Sequence, residues 1–301
     1  MKKILSLVLV VVLALTCIVA CNDQPEQPTE KTYTLVVVTD SDPAAKLSNH
    51  VLAIVFDADG KIVAARLDCA QVTLALGEDG NVVPQSSVAT KVELKENYGS
   101  MPAGTWYVQA DAFEKLIVGK TAAEVAALSK DAISAAGCTM ASTTPLFQAL
   151  VTEAANSTNK VTFTTSEEIT LGVAIHTTVA AGRSGGATIS SNFAGVVLAG
   201  GKVVAAMIDV SEQTYTVADG ALVPPTEAKP SKNEQGEGYT GMPAGPWYKQ
   251  GQAFANSAVG KTVADLANLE LTSDALAAAG CTMQGTADYR TALVAAANYA
   301  R

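Results

Sequence analysis

Hydrophobic and polar positions along this chain fall into two regimes, short β-branched apolar runs and then helical spacing, and the succession occurs twice. Residues 33–38 (Tyr-Thr-Leu-Val-Val-Val) and 51–56 (Val-Leu-Ala-Ile-Val-Phe) are apolar and β-branched, with a turn expected around Ser41 to Pro43. Residues 61–67 resume the pattern after Asp59-Gly60, which predicts a hairpin. Asp68 is expected to end that strand, and residues 71–76 form a short strand-like piece before a second turn at Asp79-Gly80. The spacing then becomes helical. Trp106, Ala110, Phe113 and Ile117 share one face, and Phe147, Leu150, Val151 and Ala154 share another after Thr144-Pro145.

The second half restarts at residues 161–179 and 187–198 and passes through the same stations. The motif Tyr-Gly-Ser-Met-Pro-Ala-Gly-Thr-Trp-Tyr-Val-Gln at 98–109 returns as Tyr-Thr-Gly-Met-Pro-Ala-Gly-Pro-Trp-Tyr-Lys-Gln at 239–250, so Trp106 and Trp247 stand 141 positions apart. Asp209 matches Asp68, the helical face Trp247, Gly251, Phe254 and Ala258 matches the first, and Tyr289, Ala292, Leu293 and Ala296 mark a second terminal helix. The expected fold is α+β: two tandem homologous domains, each an antiparallel sheet followed by three or four helices. Their expected bounds are 32–157 and 158–301, with the joint at 156–160.

The amino terminus adds a different kind of segment. Lys2 and Lys3 precede an apolar run from residue 4 to 20, followed by an acidic, Pro-rich stretch, the layout of an export signal. Ile18-Val19-Ala20-Cys21 resembles the bacterial lipobox, which implies cleavage after residue 20 and acylation of Cys21 with diacylglycerol and palmitate; an uncleaved membrane anchor is the alternative. Residues 21–31 then read as a tether. The expected location is the extracytoplasmic face of the bacterial cell membrane. Without residues 1–20 the chain keeps 18 basic against 29 acidic side chains, a charge of −11. That surface repels phosphate backbones and makes nucleic acid the wrong partner.

Candidate chemistry is sparse. His50 and His176 have no cysteine or carboxylate at metal spacing, and Asp57, Asp59 and Gly60 lack the twelfth-position carboxylate of a calcium loop, so no metal site is expected. Gly119-Lys120-Thr121 and Gly260-Lys261-Thr262 lack the earlier glycine of a phosphate loop; the threonines instead open capping boxes with Glu124 and Asp265. Cys138 and Cys281 sit at equivalent positions, either as buried small hydrophobes or as a pair if the repeats meet. Asp68 and Asp209 are either turn caps or site residues. The tryptophans head their helices and face a core, with ligand contact as the alternative. Tyr107, Gln109, Tyr248 and Gln250 fall off the apolar stripe. With Tyr98, Met101, Trp106, Tyr239, Met242 and Trp247 they form the candidate ligand surface, with the methionines as adaptable walls.

The order of hairpin, helix ending in Val-Gly-Lys-Thr, and Gly-Cys-Thr-Met before a terminal helix resembles the FMN-binding domain of exported bacterial redox proteins. That resemblance implies flavin attachment through Thr139 and Thr282, with their hydroxyls exposed at a helix amino end, and a redox partner. Cysteine stands where the family motif has alanine, and Met140 and Met283 stand where it has a hydroxyl residue. Two functions are therefore expected in competition: an FMN-binding electron carrier, or a non-catalytic surface lipoprotein that binds a small ligand or a protein partner.

Overall fold

The computed structural model describes residues 29–301 apart from 100, 141, 183, 184, 240, 241, 271 and 284. The expected signal segment and Cys21 lie outside the described residues. Lys31–Arg301 form one compact unit. The first sheet holds β1 (Lys31–Pro43), β2 (Leu47–Asp57), β3 (Ile62–Val72) and β4 (Val161–Thr165), in the order β3-β2-β1-β4. The second holds β5 (Ile169–Ala181), β6 (Ala187–Ala199), β7 (Lys202–Ala218) and β8 (Ala221–Val223), in sequence order. All pairings are antiparallel.

Helices follow each set of strands. In the first repeat they are α1 (Lys91–Leu94), α2 (Trp106–Ile117), α3 (Ala122–Ala126), α4 (Lys130–Ala135) and α5 (Thr144–Asn156). In the second they are α6 (Lys232–Gln235), α7 (Trp247–Asn256), α8 (Val263–Ala267), α9 (Ser273–Ala278) and α10 (Ala287–Asn298). The architecture is α+β, two four-stranded antiparallel sheets each with its own helices.

The sheets pack against each other, and helices cover their outer faces. Alternate residues of one strand therefore enter different cores. Val36, Val38, Leu52 and Ile54 meet Trp106, Phe113 and Phe147 on the helix side. Leu35, Val37, Ala53 and Val55 meet Val173, Phe193, Val197 and Met207 between the sheets. Burial on both faces is why these strands read as unbroken apolar runs. The expected division at residue 157 is a joint in the chain and not a gap in the packing. β4, which lies beyond the joint, pairs with β1 through Leu35 to Val161 and Lys31 to Thr165, so strands from both halves share the first sheet.

At one end the intersheet core turns polar. Asn49 accepts from the Ser41 hydroxyl and donates to Ser191 at 2.8 Å, Ser191 shares a 2.8 Å bond with Thr177, and Ser41 shares another with Ser211. Asn49, Thr177, Ser191 and Ser211 are all buried. A buried polar group without a partner costs about 1–3 kcal/mol, so this cross-repeat network penalises any slip of one sheet over the other.

Two turn readings acquire a physical basis, the turn expected around Ser41 to Pro43 proves to be the paired end of β1, and two strand ends move. The Asp57 carboxylate accepts from the amides of Asp59 and Lys61, with Gly60 at φ 77°, a side-chain-braced hairpin turn. Thr121 and Thr262 form the expected capping boxes. Their loops also pair with the sheets, since Lys120 and Lys261 accept from the amides of Ile62 and Val203 at the head of β3 and β7. Asp68 and Asp209 do not end their strands, because β3 runs to Val72 and β7 to Ala218.

Candidate functional site

The repeated motif builds a latch. Gln109 Nε2 donates to the Gly104 carbonyl at 2.9 Å, and its Oε1 accepts from the Thr139 amide at 2.7 Å and hydroxyl at 3.0 Å. Gln250 does the same with Gly245 and Thr282 at 2.7, 2.8 and 2.8 Å. Each buried amide thus ties the Met-Pro-Ala-Gly turn to the Gly-Cys-Thr-Met turn through the first turn of α2 or α7. Gln109 and Gln250 are fully buried, which corrects their expected place on a binding surface: position off the apolar stripe meant a polar partner inside. Trp106 and Trp247 are core residues, edge-on to Phe147 and Tyr289. Met101 and Met242 pack half-buried against the same cores.

Above each indole lies a buried lysine. Lys91 Nζ stands 4.7 Å from the Tyr98 ring centre and 5.4 Å from that of Trp106. Lys232 Nζ stands 5.3 and 5.6 Å from Tyr239 and Trp247, and pairs with Glu212 at 3.1 Å. Tyr98 donates to Gln71. These aromatic faces stabilise ammonium groups taken out of water, so Tyr98 and Tyr239 serve the interior.

Asp68 accepts from the amides of Cys69 and Val92, and Asp209 from those of Val210 and Asn233. Val92 and Asn233 lie in the first turns of α1 and α6, so each carboxyl anchors a helix start rather than the next turn. Burial pushes both up to about 7 from 3.8. Between those limits the folded chain holds more protons than the unfolded one, so their contribution makes stability fall as pH rises from about 4 to 7. Asp68→Asn with Asp209→Asn keeps an acceptor at each site and is expected to flatten that part of the slope. Urea unfolding at pH 4.5 and 7 checks it, and an unchanged pH difference refutes it.

The fold also assembles a row that sequence spacing did not reveal. Asp40, His50 and Cys69 are register partners across β1, β2 and β3. His50 Nδ1 lies 3.6 Å from Asp40. Burial opposes the imidazolium, but Asp40 and the Cys69 sulfur outweigh it and push His50 up to about 9. Cys69 is fully buried, so the row presents no exposed nucleophile. Only strand register, and not linear distance, could have found it.

The expected flavin residues do not suit a phosphate. The Thr139 and Thr282 hydroxyls already donate to Gln109 and Gln250, and the helix caps are Thr143 and Thr286, each four residues further on. Thr282 borders a cavity of about 480 Å³ that also contains Asp274 and Met283. Its lining carries a carboxylate and no lysine or arginine, the wrong charge for a phosphate monoester. Cys138 and Cys281 are free and buried in separate cores, the small-hydrophobe reading.

Two clefts open where the repeats meet, and their construction is reciprocal. Cleft A, about 300 Å³, sets the end of α5, with Glu153 and Asn156, against Asp209, Ser231 and Glu234 of the second repeat. Glu153 is pushed up to about 7 by desolvation at the cleft wall and then by Glu234, Asp40 and Asp209. Cleft B, about 530 Å³, sets the end of α10 and residues 298–301 against the first repeat. Its walls include Leu67, Val92, Val173, Tyr107 and Tyr299, with Arg66, Lys95, Arg301, Glu96 and Glu114 as charged groups. Glu114 is buried and accepts from the Leu67 amide at 2.7 Å and from Arg66 and Arg301 at 3.2 and 3.1 Å. Tyr107 donates to Glu96 at 2.7 Å, and Tyr248 to Glu237 at 2.8 Å. Of the ten expected ligand residues, Tyr107 alone borders one of these two clefts.

No family model, curated protein or solved structure matches the chain. Site geometry is therefore the ground for any functional reading.

Proposed function

We propose that the chain is a non-catalytic binding protein, lipid-anchored at Cys21 on the extracytoplasmic face of the membrane, that holds a small molecule in cleft B. The observation that carries this reading is the contrast between what the two repeats share and what they do not. Asp68 and Asp209, Lys91 and Lys232, Gln109 and Gln250, and the capping boxes occupy matching positions and perform matching structural tasks. The cleft linings have diverged: Arg66 and Glu114 of cleft B stand where the second repeat has Met207 and Ala255, and Glu153 of cleft A stands where it has Ala295. Divergence of these charged cleft positions over a common frame is what a ligand would select.

Cleft B suits a small molecule better than cleft A. Its volume lies well inside the usual range of about 300–1,000 Å³ for small-molecule sites, and it combines aliphatic and aromatic walls with a few polar groups. The test is a fluorescence titration of the mature chain with the neutral probe N-phenyl-1-naphthylamine. Saturable binding is expected, weakened about tenfold by Tyr107→Ala combined with Tyr299→Ala, because about 1.4 kcal/mol of lost aromatic contact is tenfold in Kd. Absence of binding, or binding indifferent to the double variant, overturns the assignment.

A further inference from the structure

We infer that cleft B selects a small organic anion, a ligand with an apolar body and a carboxylate, sulfonate or phosphate group, and that Lys95 at its mouth is the selecting residue. The inference rests on the binding reading above and adds the ligand's charge. Lys95 follows α1 with φ 47° and ψ −119°, a backbone region that a side chain disfavours and glycine accepts. The second repeat makes the same turn with φ 51° and ψ −126°, and there the residue is Gly236. One fold thus contains both solutions to one turn: the unstrained glycine, and a lysine held against its conformational preference. Strain of this kind persists where the side chain has a task that outweighs its cost.

The surroundings of Lys95 show what the task is. Lys95, Arg66 and Arg301 border cleft B together with the carboxylates of Glu114 and Glu96. Glu114 is fully committed to the Leu67 amide and the two guanidinium groups, and Glu96 accepts from Tyr107. Arg66 and Arg301 are engaged by Glu114, Arg301 also by Asp111, and Arg66 also donates to the Arg301 backbone oxygen, so among the described residues Lys95 is the cation of the lining without an ion-pair partner. Gly236 and Met207 occupy the positions of Lys95 and Arg66 in the second repeat, so this cationic pair belongs to cleft B alone. An anion at Lys95 would take a charge-assisted hydrogen bond from its ammonium, with Arg66 behind it, while Leu67, Val92 and the tyrosines cover its apolar body.

The experiment compares N-phenyl-1-naphthylamine with its sulfonated counterpart 8-anilinonaphthalene-1-sulfonate on the mature chain. The sulfonate is expected to bind about tenfold tighter than the neutral probe, the size of one charge-assisted contact. Lys95→Gly should bring the ratio of the two dissociation constants to within about threefold and, by releasing the turn, raise the melting temperature. Lys95→Asn, uncharged and tolerant of positive φ, gives the same readout through a second side chain, and Lys95→Arg should restore the preference. Binding of both probes with equal affinity leaves the cleft standing and overturns the anion inference. Binding of neither overturns both readings. A sulfonate preference that survives both uncharged variants overturns the role of Lys95.

Discussion

Gly172→Ala is expected to destabilise the folded chain by about 3 kcal/mol or more, the upper end of what overpacking costs in a close-packed interior. A methyl group at this position would lie 1.8 Å from the Ala296 carbonyl oxygen and 2.8 Å from the Ala300 amide nitrogen. Both obstacles are backbone, so no rotamer change relieves the contact. Either α10 moves off β5 or β5 bends away from the helix. The sister position is Val36, buried in the first core, which shows that the position itself does not demand glycine; the close approach of α10 does. The same region carries the reciprocal backbone bonds between Leu171 and Arg301 and one wall of cleft B. Denaturant unfolding should therefore show the loss, and limited proteolysis should cut within residues 287–301 much faster than in the parent chain. A variant within 0.5 kcal/mol of the parent, the ordinary scatter of neutral substitutions, would contradict the helix placement.

Much of this arrangement was legible in the chain, and the illegible part has a specific cause. Apolar runs bounded by turn residues located the first three strands and β6, while 161–179 proved to be two strands and 201–217 one; the Trp helices begin where their apolar spacing begins, and the terminal helices two or three residues before it. Residues 33–38 and 51–56 are apolar at almost every position, which agrees with the cover the structure gives both faces of the sheet. The sequence could not say that one cover is the other repeat, because Val37 and Val36 look alike until a partner face is known. Nor does a linear pattern disclose that residues 161–165 cross to the first sheet.

The candidate site was harder to read for a related reason. Repetition of Tyr98, Gln109 and Thr139 in the second half was a signal of shared framework, and a latch satisfies it as well as a ligand surface would. Cleft B draws on residues some 235 positions apart, Arg66 and Arg301, and its most informative residue was a mismatch between the copies. Lys95 opposite Gly236 is visible in the sequence, but its meaning depends on a backbone angle. Where two copies of a fold differ at a position of positive φ, the non-glycine copy is the one to question.

Trp247→Ala is expected to cost about 3–5 kcal/mol, and Trp106→Ala a similar amount, the range for removing a fully buried aromatic from a core. Each indole is the largest group in its cluster, contacts a second ring edge-on and lies under a buried ammonium, so truncation removes apolar contact and part of the cover of Lys232 or Lys91 together. For Trp247 there is a further local witness. Built as alanine, Gly251 would touch its ring at 2.9 Å, so the helix has been thinned to admit the indole. Refilling the vacated space with Gly251→Ala should recover part of the loss in the Trp247→Ala background, although the same change alone destabilises the parent. That sign reversal separates packing from ligand contact, because a tryptophan held for a ligand would show lost probe binding and little change in unfolding free energy. Cleft B lies on the first repeat's α2 and the end of α10, so Trp247→Ala measured well below its melting temperature should leave the dissociation constant for N-phenyl-1-naphthylamine within about twofold. Retained stability with abolished probe binding would place the indole in a binding site and undo the core assignment.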